Sequence, residues 1–281
     1  MKKKFYFVGM CLGCLSLLNS CVSDDRSFDL EPSSASKGSL VLNLNPHADF
    51  VAQTRSVSEE SYKNTSNYLV QIINTATNKV VLECKASELN TLLPKTVEIG
   101  SYRITASYGT EHDASRDEFF MFGSTVVTVK AGDEKVAEVN CTPTCGKVSV
   151  AFDANMATYY EDYNVTFGGT AMLGSKTIEW AKDDSEPWYV ALDEGGETMT
   201  YTISLTAKDE YLTQKEGDAA GQGQATGTAT GTFKLERNKA HKLTIKPSYT
   251  PTSEGGIQLS VTIDESTNDK EITYEIPVTW L

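Results

Sequence analysis

The stretch "VEIGSYRITASYG" (Val97 to Gly109), followed by "STVVTVKAGDEKVAEVNC" (Ser124 to Cys141), decides the fold of this chain. In the first run Tyr102, Ile104 and Ala106 alternate with polar neighbours after a turn at Gly100. In the second, two alternating runs meet at Ala131-Gly132-Asp133, which reads as a hairpin. Alternation with a period of two marks half-buried strands, because successive side chains on an extended backbone point to opposite faces.

The same pattern continues in both directions. "SLVLNLN" from Ser39 puts Leu40, Leu42 and Leu44 on one face, with Val41 and two asparagines on the other. Residues 52–66 are polar and loop-like, and "NYLVQIINTATNKVVLEC" gives two apolar strands around a Thr-Asn-Lys turn. "KASELNTLL" predicts one helical turn with Ser87 as its N-cap. Further on, "KVSVAFD", "DYNVTFGG", "KTIEW", "WYVAL" and "TMTYTISLTA" read as strands. A polar stretch at 208–232 follows, its Thr/Ala/Gly end suited to an edge strand; "AHKLTIKPS", "GIQLSVTI" and "EITYEIPVTW" complete the pattern. Short strands joined by Gly/Asn/Asp turns predict an all-β chain of two tandem antiparallel β-sandwich domains, Ig-like in layout, at residues 39–142 and 143–281.

The N-terminus reads as an address. Lys2, Lys3 and Lys4 precede an almost purely apolar run from Phe5 to Leu18. That run is shorter than the roughly 20 residues a membrane-spanning helix needs, and it has the layout of a secretory signal peptide. It breaks at Leu18-Asn19-Ser20-Cys21, which resembles the bacterial lipoprotein signal. That resemblance implies a signal peptide over 1–20, acyl chains on Cys21 and a flexible tether over 21–38. Two or more buried acyl chains hold a protein on a membrane far more firmly than one. Ser23, Asp24 and Asp25 directly behind the cysteine resemble the export tag of Bacteroidetes-type lipoproteins, which implies a place on the outer membrane facing the cell exterior.

Charge narrows the partners. The 281-residue chain carries 25 Lys and Arg against 38 Asp and Glu, a net charge of −13. Loss of the three leader lysines leaves 22 basic residues and a net charge of −16. Nucleic acid is therefore not an expected partner, since binding it needs clustered Lys and Arg on phosphate.

The chemistry-bearing residues are few. Besides Cys21, the body holds Cys84, Cys141 and Cys145. A Cys141–Cys145 disulfide, a bridge from Cys84 to either, and three small buried hydrophobes all stay open at this point. No cofactor is implied, and C-x3-C with no histidine nearby does not read as a metal site. His47, His112 and His241 lie on separate segments, and no hydrolase or nucleotide-binding motif is present. Glu111, His112, Asp113, Arg116, Asp117 and Glu118 cluster in one segment, which reads as a solvated loop tip ahead of a Ca²⁺ site; "KDDSEP" and "DESTND" read the same way. Trp180 and Trp188 are candidates for stacking on a glycan, against the alternative that they fill a core.

The order of the strands resembles a family of Bacteroidetes-type lipoproteins that carry a domain of unknown function. The resemblance rests on Gly100-Ser101-Tyr102, Phe122-Gly123, "VTVKAG", Cys141, "KVSVAFD" and "DYNVTF" in that order, over most of residues 38–281. Cys145 and the Thr/Gly-rich segment near 220 depart from it. The family is similar in layout to fimbrillins and to fimbrial anchor and tip lipoproteins. This implies two transthyretin-like sandwiches and a non-catalytic role in surface attachment, with fimbrial subunits as partners; a surface glycan is the alternative. In fimbrillin subunits a protease cuts after an arginine beyond the first strand. Arg55, in "AQTRSVSE", stands at the corresponding place, either as such a site or as an uncut loop residue.

Overall fold

The computed structural model describes residues 36–49, 57–208, 226–251, 257–267, 270–277 and 279–280. Residues 34–281 form one compact unit that contains two hydrophobic cores. The described elements of the first part are β1 (Lys37–Pro46), β2 (Leu69–Asn74), β3 (Val80–Lys85), α1 (Leu89–Leu92), β4 (Lys95–Glu98), β5 (Gly100–Tyr108), β6 (Ala114–Ser115), β7 (Met121–Val129) and β8 (Glu134–Pro143). The second part holds β9 (Cys145–Phe152), α2 (Met156–Tyr159), β10 (Tyr160–Gly168), β11 (Ile178–Ala181), β12 (Trp188–Ala191), β13 (Glu197–Ala207) and β14 (Thr226–Leu235). It ends with β15 (Ala240–Pro251), β16 (Ile257–Thr267), β17 (Lys270–Pro277) and β18 (Thr279–Trp280).

In β5 the alternation does what the sequence predicts: Tyr102, Ile104 and Ala106 are buried, while Arg103 between them is exposed. The hairpin between β7 and β8 closes at Gly132, where φ is +74°, a conformation that glycine adopts without steric cost. The Asp133 carboxylate accepts the Lys130 N–H there. Farther along, only Met121↔Pro143 and Phe122↔Thr142 still pair β7 with β8. At that joint Gly123 lies so close to β8 that a Cβ would meet the Asn140 carbonyl oxygen at 2.3 Å. The joint links two arms, β3-β2-β5-β7 and β8-β1-β4, into one seven-stranded sheet. Both arms send side chains into the first core: Val70, Ile72, Ile104 and Met121 from one, Leu40, Leu42, Val97 and Val139 from the other. Fully burying one such aliphatic side chain contributes about 1.5–3 kcal/mol.

The second core lies between a five-stranded sheet ordered β11-β10-β13-β14-β18 and a six-stranded sheet ordered β17-β16-β15-β9-β12-β6. Apart from β16, β17, β18 and β6, this repeats the first part. β11-β10-β13-β14 matches β3-β2-β5-β7, and β15-β9-β12 matches β8-β1-β4.

Two pairings correct the expectation of a purely antiparallel fold. β1 runs parallel to β8, from Ser39↔Glu134 to Pro46↔Cys141, and β9 runs parallel to β15. A parallel neighbour needs a long crossover, and the strands of the opposite arm supply it. Half-buried strands alternate alike in both arrangements, so the pattern could not separate them. A smaller correction concerns the helical turn. It begins as a 3-10 turn at Ala86 with Lys85 at its N-cap, so Ser87 lies inside it.

Candidate functional site

The segment between β5 and β7 forms a strap across the edge of the second core. Ala114 and Ser115 make β6, pairing with Val190 and Tyr189 of β12, and the Ala191 N–H donates to the Asp113 carbonyl at 3.1 Å. The expected solvated loop tip holds at Glu111, His112, Asp113 and Asp117, which are exposed, while Ala114, Ser115 and Arg116 are half-buried in the strap. Asp113 pairs with Lys176 at 2.9 Å, and Arg116 holds Asp184 with two hydrogen bonds at 2.9 and 2.7 Å. His112 meets Glu118 at 2.8 Å, and this hydrogen bond holds the Glu118 carboxyl below its ordinary range. Asp184 in turn accepts the Glu186 N–H, so "KDDSEP" is a structured turn as well. Among the described residues no group of three or more His, Cys, Asp or Glu is placed to hold a metal ion.

Beneath the strap a buried polar knot joins the two cores. Glu59 Oε1 accepts from Lys147 Nζ at 2.7 Å and from the Tyr189 hydroxyl at 2.8 Å. The Glu59 and Lys147 side chains are only 4% and 7% exposed. Around them runs an aromatic column in which Tyr62 stacks on Phe119 at 3.8 Å and Phe119 on Tyr189 at 4.9 Å. The Tyr62 hydroxyl accepts the Phe119 N–H, and burial pushes its pKa up. Sequence reasoning missed this knot. Glu59 sits in a polar run, Lys147 opens an ordinary strand, and nothing local marks them as partners across 88 residues.

The two tryptophans are placed as follows. Trp180 is fully buried, its indole N–H donating to the Glu186 carbonyl at 2.7 Å and its ring edge-on to Phe167. It offers no stacking face, and the expectation for it is corrected to core packing. Trp188 is half-buried, with the Arg116 guanidinium over its ring at 4.7 Å, so strap and tryptophan cover each other. Lying on neighbouring strands β11 and β12 in sequence, the two rings are brought together by Arg116 and not by an open platform.

Among the described residues Cys84, Cys141 and Cys145 are free and buried, and no Cys141–Cys145 disulfide forms. Cys141 lies near the end of β8 and Cys145 opens β9, with a bend at Thr144 between the two strands. Burial raises the Cys141 thiol to about 11 and pushes the Cys84 and Cys145 thiols up as well, so all stay protonated at neutral pH. His241 is buried too, stacked flat on Phe233 at 3.6 Å. Cys21 and Arg55 lie outside the described residues.

A groove of about 710 Å³ lies open beside β1, lined by Leu42, Leu44, Ser66, Leu89, Asn90 and Leu93 among others. β4 covers the flank of β1 only from Lys37 to Leu40, and the groove begins where it ends.

The description of domain of unknown function DUF4493 matches residues 36–278, across both cores, and the chain belongs to that family. No curated protein matches it. Solved structures resemble it at the level of the chain trace, two of them as follows. A fimbrial assembly protein from Parabacteroides distasonis is 10% identical with a TM-score of 0.41, covering 85% of this chain and 98% of its own. The fimbrial anchor protein Mfa2 from Porphyromonas gingivalis is 11% identical with a TM-score of 0.36, covering 84% and 99%. At these values neither likeness bears on what this chain binds.

Proposed function

We propose that this protein is a lipid-anchored, outward-facing outer-membrane lipoprotein whose two tandem β-sandwich domains serve as a non-catalytic attachment module, associated with fimbrial subunits. The observation that carries the reading is the division of the chain. The basic start, the apolar run and Leu18-Asn19-Ser20-Cys21 all precede residue 36, where the family match begins. The leader is thus separate from the body that the family match covers and free to serve as an anchor, with a short Ser- and Asp-rich tether between.

The body supports a mechanical role. Its chemistry-bearing side chains are used for cohesion: Glu59 and Lys147 in a buried pair, Arg116 in the strap, the thiols buried and protonated. Polar contacts that cross between two packed cores make one stiff body, which suits a protein that bears load between a membrane and a partner. Uncut at Arg55, the chain keeps β1 together with its anchor.

Mass spectrometry of protein extracted from membranes tests the reading. The expected N-terminus is Cys21 carrying a thioether-linked diacylglycerol, and Cys21→Ala moves the protein to the soluble fraction. Protease added to intact cells should also digest the body. A bare thiol at Cys21, or a body protected on intact cells, would overturn the anchored, outward-facing reading.

A further inference from the structure

We propose that the groove beside β1 is a strand-accepting site, and that it binds an extended, uncharged segment of another protein by adding it to the sheet edge while β1 stays in place. The direction of the backbone groups carries the argument. Along β1 the Ser39 and His47 N–H groups donate to Asp133 and Cys141, both on the β8 side. The Ser36 carbonyl accepts from Ile99, on the β4 side. Neighbouring residues on a strand direct their main-chain groups to opposite edges. Odd-numbered residues of β1 therefore face β8 and even-numbered ones face β4.

β4 pairs with β1 no farther than Leu40↔Lys95, while β1 continues to Pro46. The main-chain N–H and C=O of Leu42 and Leu44 thus point into the groove and have no partner among the described residues. An exposed strand edge is a template for another strand, because its donors and acceptors keep the ladder spacing.

The molecule already completes edges in this way. β6 adds two residues to β12, and β18 adds two residues to β14. The two free rungs at Leu42 and Leu44 would take an addition of the same length.

The lining specifies the occupant. Leu42, Leu44, Leu89 and Leu93 supply apolar contacts, while Asn43, Asn45, Thr65, Ser66, Ser87 and Asn90 supply neutral polar ones. No charged residue and no aromatic ring lines the groove, which suits neither an anionic ligand nor a sugar that needs a stacking face. An extended peptide with apolar residues at alternate positions satisfies both the edge and the leucines. The chain's net charge of −13 disfavours a second copy, since two like-charged bodies repel on approach. The site extends the attachment reading but stands apart from it, resting on the groove alone whether or not Cys21 is acylated.

The test uses the full chain in detergent and a fluorescein-labelled, end-capped peptide of about ten alternating Val and Thr residues as the probe for ladder addition. Fluorescence anisotropy should show saturable binding. Methylating the amides of one residue type should abolish it, and methylating the other should leave it, since only one edge of the probe faces β1. Asn90→Trp, which fills the groove from an exposed position of α1, should weaken binding at least about tenfold, a loss of about 1.4 kcal/mol. Thr96→Trp on the outer edge of β4 should not, and circular dichroism checks that both variants keep the fold. Absence of binding, equal tolerance of both methylation frames, or equal effects of the two tryptophans would overturn the proposal. So would dimerisation of the unlabelled chain in sedimentation that Asn90→Trp abolishes, which would assign the groove to a second copy. Membrane release of Cys21→Ala tests the anchor and has no bearing on these outcomes.

Discussion

The arms β8-β1-β4 and β15-β9-β12 are built to the same order, yet they end differently. The outer edge of β12 is covered by β6, and the Ala191 N–H is spent on the Asp113 carbonyl. The outer edge of β4 has no strand beside it among the described residues, and β1 runs six residues past the end of β4 pairing, Val41 to Pro46. One topology therefore yields a closed edge at the junction and an open one at the far end. Topology alone does not make a sheet edge available. What the neighbouring segment does with its backbone groups decides it.

The largest effects should come from changes that attack the closed side. Lys147→Met leaves Glu59 buried without its cation, and removing one partner of a buried pair costs about 3–5 kcal/mol. Adding Glu59→Met should restore most of that loss in chemical denaturation, because an apolar replacement of the whole pair avoids burying charge. A double variant no more stable than Lys147→Met would show that the pair is not the source. Trp180→Ala removes the largest side chain of the second core and should cost a similar amount, about 3–5 kcal/mol. If the junction couples the cores, the first should unfold in the same transition; two separated melts would break the comparison by making the halves independent.

Acid should act next in size, through His241 beside the second core. Burial lowers the His241 pKa from 6.5 to about 4, so the unfolded chain takes up a proton there before the folded one does. Stability is then complete above pH 6.5 and is lost as pH falls from there towards 4, by about 3 kcal/mol in all. His241→Phe should flatten that part of the pH profile, measured as Tm against pH; an unchanged slope would place the acid sensitivity elsewhere. Smallest is the strap itself. Arg116→Ala loses the paired bonds to Asp184 and the contact over Trp188, about 1–2 kcal/mol for partly exposed groups. It should raise proteolysis within residues 109–120 and lower the shared Tm less than either of the core changes does.

Much of the fold was legible in the sequence. Tyr102, Ile104 and Ala106 in β5, and Leu40 and Leu42 in β1, mark strands by alternation that survives any tertiary context. What could not be read depends on distant partners. Parallel pairing of β1 with β8 leaves the same alternation as antiparallel pairing, and Trp188 stays open between glycan stacking and core packing until Arg116 is placed over it. The same holds for β6, since two residues in a polar, charged run carry no strand signal. The groove was half legible: "SLVLNLN" gives the strand, but only the four-residue length of β4 reveals that no described strand pairs with β1 beyond Leu40 on that side.

Amide hydrogen exchange read residue by residue tests the central claim most directly, since it compares the open and closed edges in one experiment. The Leu42 and Leu44 amides should exchange far faster than those of Val41 and Asn43 beside them, while Ala191 on β12 stays protected. Equal protection of all four β1 amides, or rapid exchange at Ala191, would contradict the account.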